Sequence, residues 1–441
     1  MKKNYKVWIT QSILLIFYKI VLDFLLMPKY FHVYGYLYSG SYQFDFNKWI
    51  ISTLFFLFFL TIQIKFIAIE KNIYNVITCI YYVVCLIPML TVYAFLSVIE
   101  FHAVFYPFVF WVILIIALRY YGNFQFKKPI ERFVMPYFLN IDIVLLIILG
   151  IITLLIWAWA GFPIILSLGD TTAQRMALRA ATMPKVLNYI FMLLGGVIFP
   201  YLFARYLAIR KISLAIISCV FGIILFFING MKTWLFLYII AIGIFLICKF
   251  GQSKANYISY LFIISITVLC LLSVFVYDQY KSVDLLSQTG RVLIIPNNIG
   301  FKSIDFFEKN ELLYLRESIL RYVFPTPYSG GSDFYINYGS RHTLTSSRAN
   351  NGLWGDAFRN FGFLGMLIYP FMIAKIINIV ETNARNQDMH LKIFVVFLMI
   401  WGSVNVSFFT WLITGGVVVI VLLQKIYKKN DDILSMRNFQ E

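Results

Sequence analysis

Hydrophobic stretches of roughly 17 or more residues recur along this chain, each long enough to cross a hydrocarbon layer of about 30 Å. They fall at about 7–27, 48–69, 76–98, 103–119, 139–160, 186–207, 212–229, 234–250, 257–277, 356–378, 391–408 and 411–427. Segments inside lipid must satisfy their own backbone hydrogen bonds, so stretches of this length are expected to be helical. The reading is an all-α polytopic membrane protein with about 12 transmembrane helices, forming one membrane domain over 1–441. Composition agrees: 13% of the 441 residues are charged, against about 25% in a soluble domain. The last two windows sit so close that FFTWLITGG (408–416) must turn the chain between them. MKKNYKVW leads into a span without a small-residue cleavage site, so no cleaved signal peptide is expected.

The net charge of +17 is explained by orientation. With the N-terminus in the cytoplasm, the short inner loops hold Lys71, Arg119, Lys127, Lys128, Arg132, Arg205, Arg210, Lys211, Lys249, Lys254, Arg385 and Lys392. The two tails add seven more basic residues: Lys2, Lys3, Lys6, Lys425, Lys428, Lys429 and Arg437. The short outer loops hold only Lys29, Lys48, Arg175, Arg179, Lys185 and Lys232. That asymmetry follows the positive-inside rule and puts both termini in the cytoplasm. It also removes the need for a nucleic-acid partner.

One large loop, 278–355, then faces outside, and 161–185 is the next most polar outer loop. In the large loop, GRVLIIP reads as extended and ended by Pro296. FKSIDFFEKNELLYLRESILRYV (301–323) has mostly helical apolar spacing, which predicts amphipathic helices on the membrane surface or packed on the spans. PTPYSGGSDFYINYGSRHTLTSSRANNG, rich in Tyr, Ser, Gly and Asn, is loop. Its aromatic faces and amides, including Tyr328, Tyr335, Asn350 and Asn351, also suit the rings and hydroxyls of sugars; a plain ordered loop reads equally well.

All five cysteines lie inside spans and read as buried small apolar residues. No HExxH, CxxC or DxD pattern offers a metal site, and no GxxxxGK[ST] marks an ATP-driven pump. The chemistry expected is metal-independent and needs no cofactor. In GDTTAQRMALRAATMP the pair Arg175 and Arg179 lies on one face of a short predicted helix. Like charges at that spacing repel; they are either solvated or bridged by a shared anion. The large loop offers a second set, Arg291, Arg341 and Arg348, with Arg359 just inside the tenth span. Arginine forks match phosphate oxygens bidentately, so such a set can hold a lipid diphosphate without a divalent cation.

Two segments resemble a known family. GRVLIIPNNIGFKSIDFFEKNELLYLRES, followed by SSRANNGLWGDAFRNFGFLGMLIYPFMIAKI, is similar to the signature region of Wzy-type O-antigen and capsule repeat-unit polymerases. The likeness covers about 290–380. It rests on Arg291 and Pro296 in an RxxxxP stretch, the Phe306-Phe307 pair, Arg341 followed by ten residues and then Gly352, and an Asn-Gly pair before a glycine-rich span entry. The resemblance implies a membrane glycosyltransferase (GT-C-like) bundle shared with the O-antigen ligases. It implies transfer of a growing glycan from undecaprenyl diphosphate to a new lipid-linked repeat unit. This occurs on the external face of the bacterial cytoplasmic (inner) membrane, for O-antigen, capsule or exopolysaccharide. A chain-length regulator and a flippase of the same pathway are the implied partners, beside membrane lipid. The ligases carry a His before a Gly-x-x-Gly entry; here Asn350 and Asn351 precede Gly362 and Gly365, with His342 the nearest imidazole.

Within that reading Arg291 and Arg348, helped by Arg341 or by Arg175 and Arg179, hold the leaving diphosphate. His342, Asp333, Asp356 and Glu308 form the shortlist for the general base. Gly352, Gly355, Gly362 and Gly365 allow close backbone approach, while Arg348, Asn350, Asn351 and Asp356 face a polar cavity rather than lipid. A helix-packing turn with a snorkelling arginine is the simpler alternative. A lipid-linked oligosaccharide flippase and an O-antigen ligase are the competing functions.

Overall fold

The computed structural model describes residues 2–34, 43–67, 73–123, 141–164, 183–250, 255–318, 320, 323–328, 332, 352–384, 387–404 and 406–437. Among them, 11 helices are long and apolar enough to cross a membrane. In chain order these are α1 (Val7–Tyr34), α2 (Phe46–Gln63), α3 (Ile73–Ala94), α4 (Phe101–Gly122), α5 (Ile141–Trp159), α6 (Val186–Ala208), α7 (Ile212–Asn229), α8 (Lys232–Lys249) and α9 (Tyr257–Tyr280). Two shorter helices follow, α10 (Asp284–Leu293) and α11 (Ile295–Phe307). The remaining two of the eleven are α12 (Gly352–Asn383) and α14 (Phe408–Tyr427), with the shorter α13 (Met389–Val404) between them. The all-α polytopic membrane class is therefore what the chain adopts.

Eleven of the twelve expected windows coincide with a helix of spanning length. The exception, 391–408, becomes α13, whose 16 residues extend about 24 Å, short of a hydrocarbon layer. Its middle is buried, from Leu391 at 2% to Ile400 at 1% exposure, so its apolar character is accounted for by protein contacts. The expected turn over 408–416 narrows to its end. FFTWLI is helical from Phe408, and the chain turns at 414–416, where Gly416 has φ +79°, before helix resumes at Val417. Asp356 provides the physical reason for the start at Phe408, because its Oδ2 accepts the Phe408 N–H at 2.9 Å.

Packing divides the chain into two units. The first comprises Met1–Gln125, Lys254–Asn378 and Ile400–Phe409; the second comprises Phe126–Ser253, Ile379–Met399 and Thr410–Glu441. Within the second, Lys211 pairs with the buried Asp142 at 2.6 Å, and the Arg205 guanidinium stacks 3.8 Å over the Tyr427 ring.

The first unit is organised around α3, in which every residue from Ile73 to Ala94 is buried. A polar lock ties α1, α2 and α3 together. Lys19 Nζ donates to both Asp23 oxygens (3.1 and 2.9 Å) and to Ser52 Oγ at 3.1 Å. Asp23 also accepts from Trp49 Nε1 (3.0 Å) and Thr91 Oγ1 (2.6 Å). Lys19 and Asp23 are 4% and 3% exposed, and their mutual saturation makes two charges tolerable in this apolar setting. A π-helical turn at Leu22–Leu26 places Asp23 inside the lock.

An interrupted helical segment, α10 and α11, also packs within this unit. α10 starts where the Tyr34 hydroxyl donates to the Val283 carbonyl (3.4 Å), and Ser273 bonds Thr289 at 2.6 Å along α9. The chain bends at Ile294, with φ −101° and ψ −53°. α11 then returns along Ile87–Ala94 and Phe101–Val104, Phe301 packing 5.7 Å from Tyr93. The bend lies beside Tyr81 and Cys85, about 14 Å along α3 from its Ala94 end. So GRVLIIP is not extended: Arg291 to Leu293 close α10, and Pro296 opens α11, where its missing N–H has no cost. Among the described residues of 301–323, those up to Phe307 are helical and those after it are turn or irregular.

α12 is broken. Gly352 and Ile373 line one cavity, although a straight helix would hold them about 30 Å apart. The break is at Gly362, with φ 56° and ψ −138°, a conformation open essentially to glycine alone. Gly352–Phe361 thus forms a half-helix lying back against the helix that follows. A Cβ on Gly365 would meet the Ala357 carbonyl oxygen at 2.0 Å, which shows how tightly the halves press together.

Candidate functional site

The half-helix at the start of α12 carries Asp356, Arg359 and Asn360, which are 2%, 8% and 3% exposed. Three polar side chains are buried here because each finds partners. Arg359 Nη2 reaches Glu317 Oε2 at 3.3 Å, and its Nε lies 3.7 Å from Asp356 Oδ1. Asn360 Nδ2 donates to the Asp356 carbonyl (2.9 Å) and to its Oδ1 (3.1 Å).

The chain after α11 caps this half-helix from outside its own sequence. The N–H groups of Leu313 and Tyr314 donate to the carbonyls of Arg359 and Asn360 at 2.9 and 3.2 Å. Leu315 N–H donates to Asn360 Oδ1 at 2.9 Å. These bonds satisfy carbonyls that no intrahelical donor reaches. They also hold Tyr314 and Leu315 at φ 48° and 65°, left-handed values that cost a non-glycine residue about 1–3 kcal/mol each.

Glu317 is the hub of this cap, and sequence reasoning missed it. Besides Arg359 it accepts from the Thr326 hydroxyl and from both the N–H and the hydroxyl of Ser332. Beside it, Tyr328 packs 5.4 Å from Phe306 and 5.9 Å from Phe307 and donates to the Glu311 carbonyl. Burial first, then the nearby Glu311 and Glu317 charges, push the Tyr328 phenol above its usual value.

The predicted site residues separate into three groups. His342, Asp333, Arg341, Arg348, Asn350, Asn351, Tyr335, Arg175 and Arg179 lie outside the described residues. Asp356 is buried, and its oxygens hold Asn360 and the start of α14. It faces protein groups, not the polar cavity expected of it. Arg291, Glu308 and Tyr328 remain at the surface or near it. Arg291 is exposed on α10, opposite the buried face of Leu286, Thr289, Gly290 and Leu293.

Glu308, at the end of α11, is joined by a residue far away in sequence. His102 Nε2 lies 2.8 Å from Glu308 Oε1, and His102 Nδ1 lies 3.3 Å from Glu100 Oε2. An imidazole between two carboxylates can relay or share a proton, and it fixes the Glu308 side chain, which is 18% exposed. No local pattern pointed to His102; only the packing of α11 along Phe101–Val104 brings it there. Among the described residues no three His, Cys, Asp or Glu side chains gather as a metal site. No disulfide joins any of the five cysteines.

Compared with family models, with characterised proteins and with solved structures, the chain matches none of them.

Proposed function

We propose that this protein polymerises polysaccharide repeat units at the external face of a bacterial cytoplasmic membrane. A growing glycan on undecaprenyl diphosphate is transferred to a newly arrived lipid-linked unit. The observation that carries the reading is the coincidence of the polymerase-like stretch, 290–380, with the region that departs most from plain spanning helices. There the chain makes α11, the Glu317-centred cap and the break of α12, all within the part of the first unit that runs to Asn378.

In this reading the acceptor hydroxyl oxygen forms a bond to the anomeric carbon as the bond from that carbon to the diphosphate breaks. Glu308, oriented by His102, takes the hydroxyl proton. Arg291 and Arg348, with Arg341, stabilise the departing diphosphate. The half-buried Phe306 and Tyr328 rings offer apolar faces for a pyranose. The test is reconstitution in lipid nanodiscs with a lipid-diphosphate-linked repeat unit. Chain growth with release of undecaprenyl diphosphate is the expected result. Arg348→Ala should abolish growth at normal protein levels; unchanged glycan length in that variant removes Arg348 from the site.

A flippase for the same lipid-linked unit is the second reading. The interrupted helices favour it, since half-helices meeting near mid-depth recur in transporters.

A further inference from the structure

The first unit contains a cavity of about 20 Å³, counted as the space open to a water's centre. A single water needs roughly 10–15 Å³ on that measure. Four helix ends meet there. Pro296 and Asn297 open α11, just after the end of α10; Gly352 opens the half-helix of α12; Ser403 and Val404 close α13. Two amino ends and two carbonyl ends leave little net dipole, so the site favours neither an anion nor a cation. No lining residue is charged.

The wall nevertheless carries an unmet polar group. Trp111, 3% exposed, lines the cavity, and its Nε1–H has no hydrogen-bond partner in the protein. A buried donor left in this way costs about 1–3 kcal/mol. Tyr81, Asn297 and Ser403 line the same cavity. Val404 is there too, and its carbonyl is among the last four of α13, which no intrahelical N–H reaches.

We propose that this cavity binds one ordered water, which accepts from Trp111 Nε1–H and donates to carbonyl or hydroxyl oxygens at the ends of α13 and α11. A neutral molecule with donor and acceptor faces suits balanced helix ends, and the volume admits one. The inference is independent of the reaction assigned to the protein. The water is a fixed bridge at the point where both interrupted helices turn.

X-ray hydroxyl-radical footprinting of the full-length protein in nanodiscs tests it, because radiolysis of a bound water oxidises the side chains that touch it. Trp411 is the comparator: it is 0% exposed and its Nε1 already donates to the Met399 carbonyl at 2.8 Å. Oxidation of Trp111, Tyr81 and Cys85 several-fold above Trp411 is expected, with labelling of Tyr81 and Cys85 falling in Trp111→Phe. Labelling of Trp111 no higher than Trp411 would overturn the proposal. So would wild-type labelling of Tyr81 and Cys85 in a folded Trp111→Phe protein. The wild-type comparison decides alone if that variant does not fold.

Discussion

Asp356 shows how a residue picked for chemistry can turn out to hold a fold together. Its carboxylate bonds the Phe408 N–H, 52 positions on, and the Asn360 amide. Removing an acceptor shared by buried donors costs about 1–3 kcal/mol per orphaned group. Asp356→Ala should therefore lower thermal stability and membrane yield; a variant of wild-type stability that lacks only activity would make Asp356 a catalytic group after all. Glu308→Gln makes the opposite prediction: normal yield, with chain growth lost. Tyr328 can be read by titration. Its phenol is raised, so the stability its neutral form contributes is intact below about pH 10 and fades as pH climbs through the higher folded value. The wild-type minus Tyr328→Phe ultraviolet titration should show one phenol ionising above pH 10; ionisation at or below 10 contradicts the packing described. At this scale the sequence was a partial guide. The concentration of Arg, Asn, Asp and Gly at 346–365 marked an unusual place. Glu317 and His102 were invisible, because their importance comes from partners 42 and 206 positions away.

Elements of spanning length were legible because a bilayer demands about 20 apolar residues, and hydropathy measures that directly. Their interruptions were not, with one exception. The glycines at 362 and 365 were expected to permit close approach; Gly365 does so where α12 folds back, whereas Gly362 supplies the left-handed backbone of the break. The direction of α10 and α11 could not be read, since an amphipathic pattern is the same on a membrane surface and against buried helices. Gly365→Leu should separate the halves of α12 and abolish folding, visible as loss of a monodisperse detergent peak; a normal peak would refute the close packing at Ala357. The lock on α1 predicts a different pattern. Asp23→Asn leaves Lys19 buried without its counter-ion and should cost about 3–5 kcal/mol. Lys19→Met combined with Asp23→Leu should recover part of that loss in thermal unfolding. Failure of the pair to recover anything would mean that Ser52, Trp49 and Thr91 depend on the charge itself.

As a whole molecule, the chain is a helical membrane protein whose first unit concentrates its broken helices and buried charges around α3, α11 and the start of α12. Bulk hydropathy foretold the class and eleven of twelve windows; the twelfth is the shorter apolar helix α13. The proposal of polymerisation rests on what this first unit could do to a lipid-linked sugar, and one experiment addresses it most directly. Surface glycan from cells lacking the gene should be sized by gel beside the complemented strain. Single repeat units reaching the surface while long chains vanish, with length restored on complementation, is the predicted result. Lipid-linked units accumulating on the cytoplasmic side would contradict polymerisation and make the protein a flippase; an unaltered ladder would contradict both.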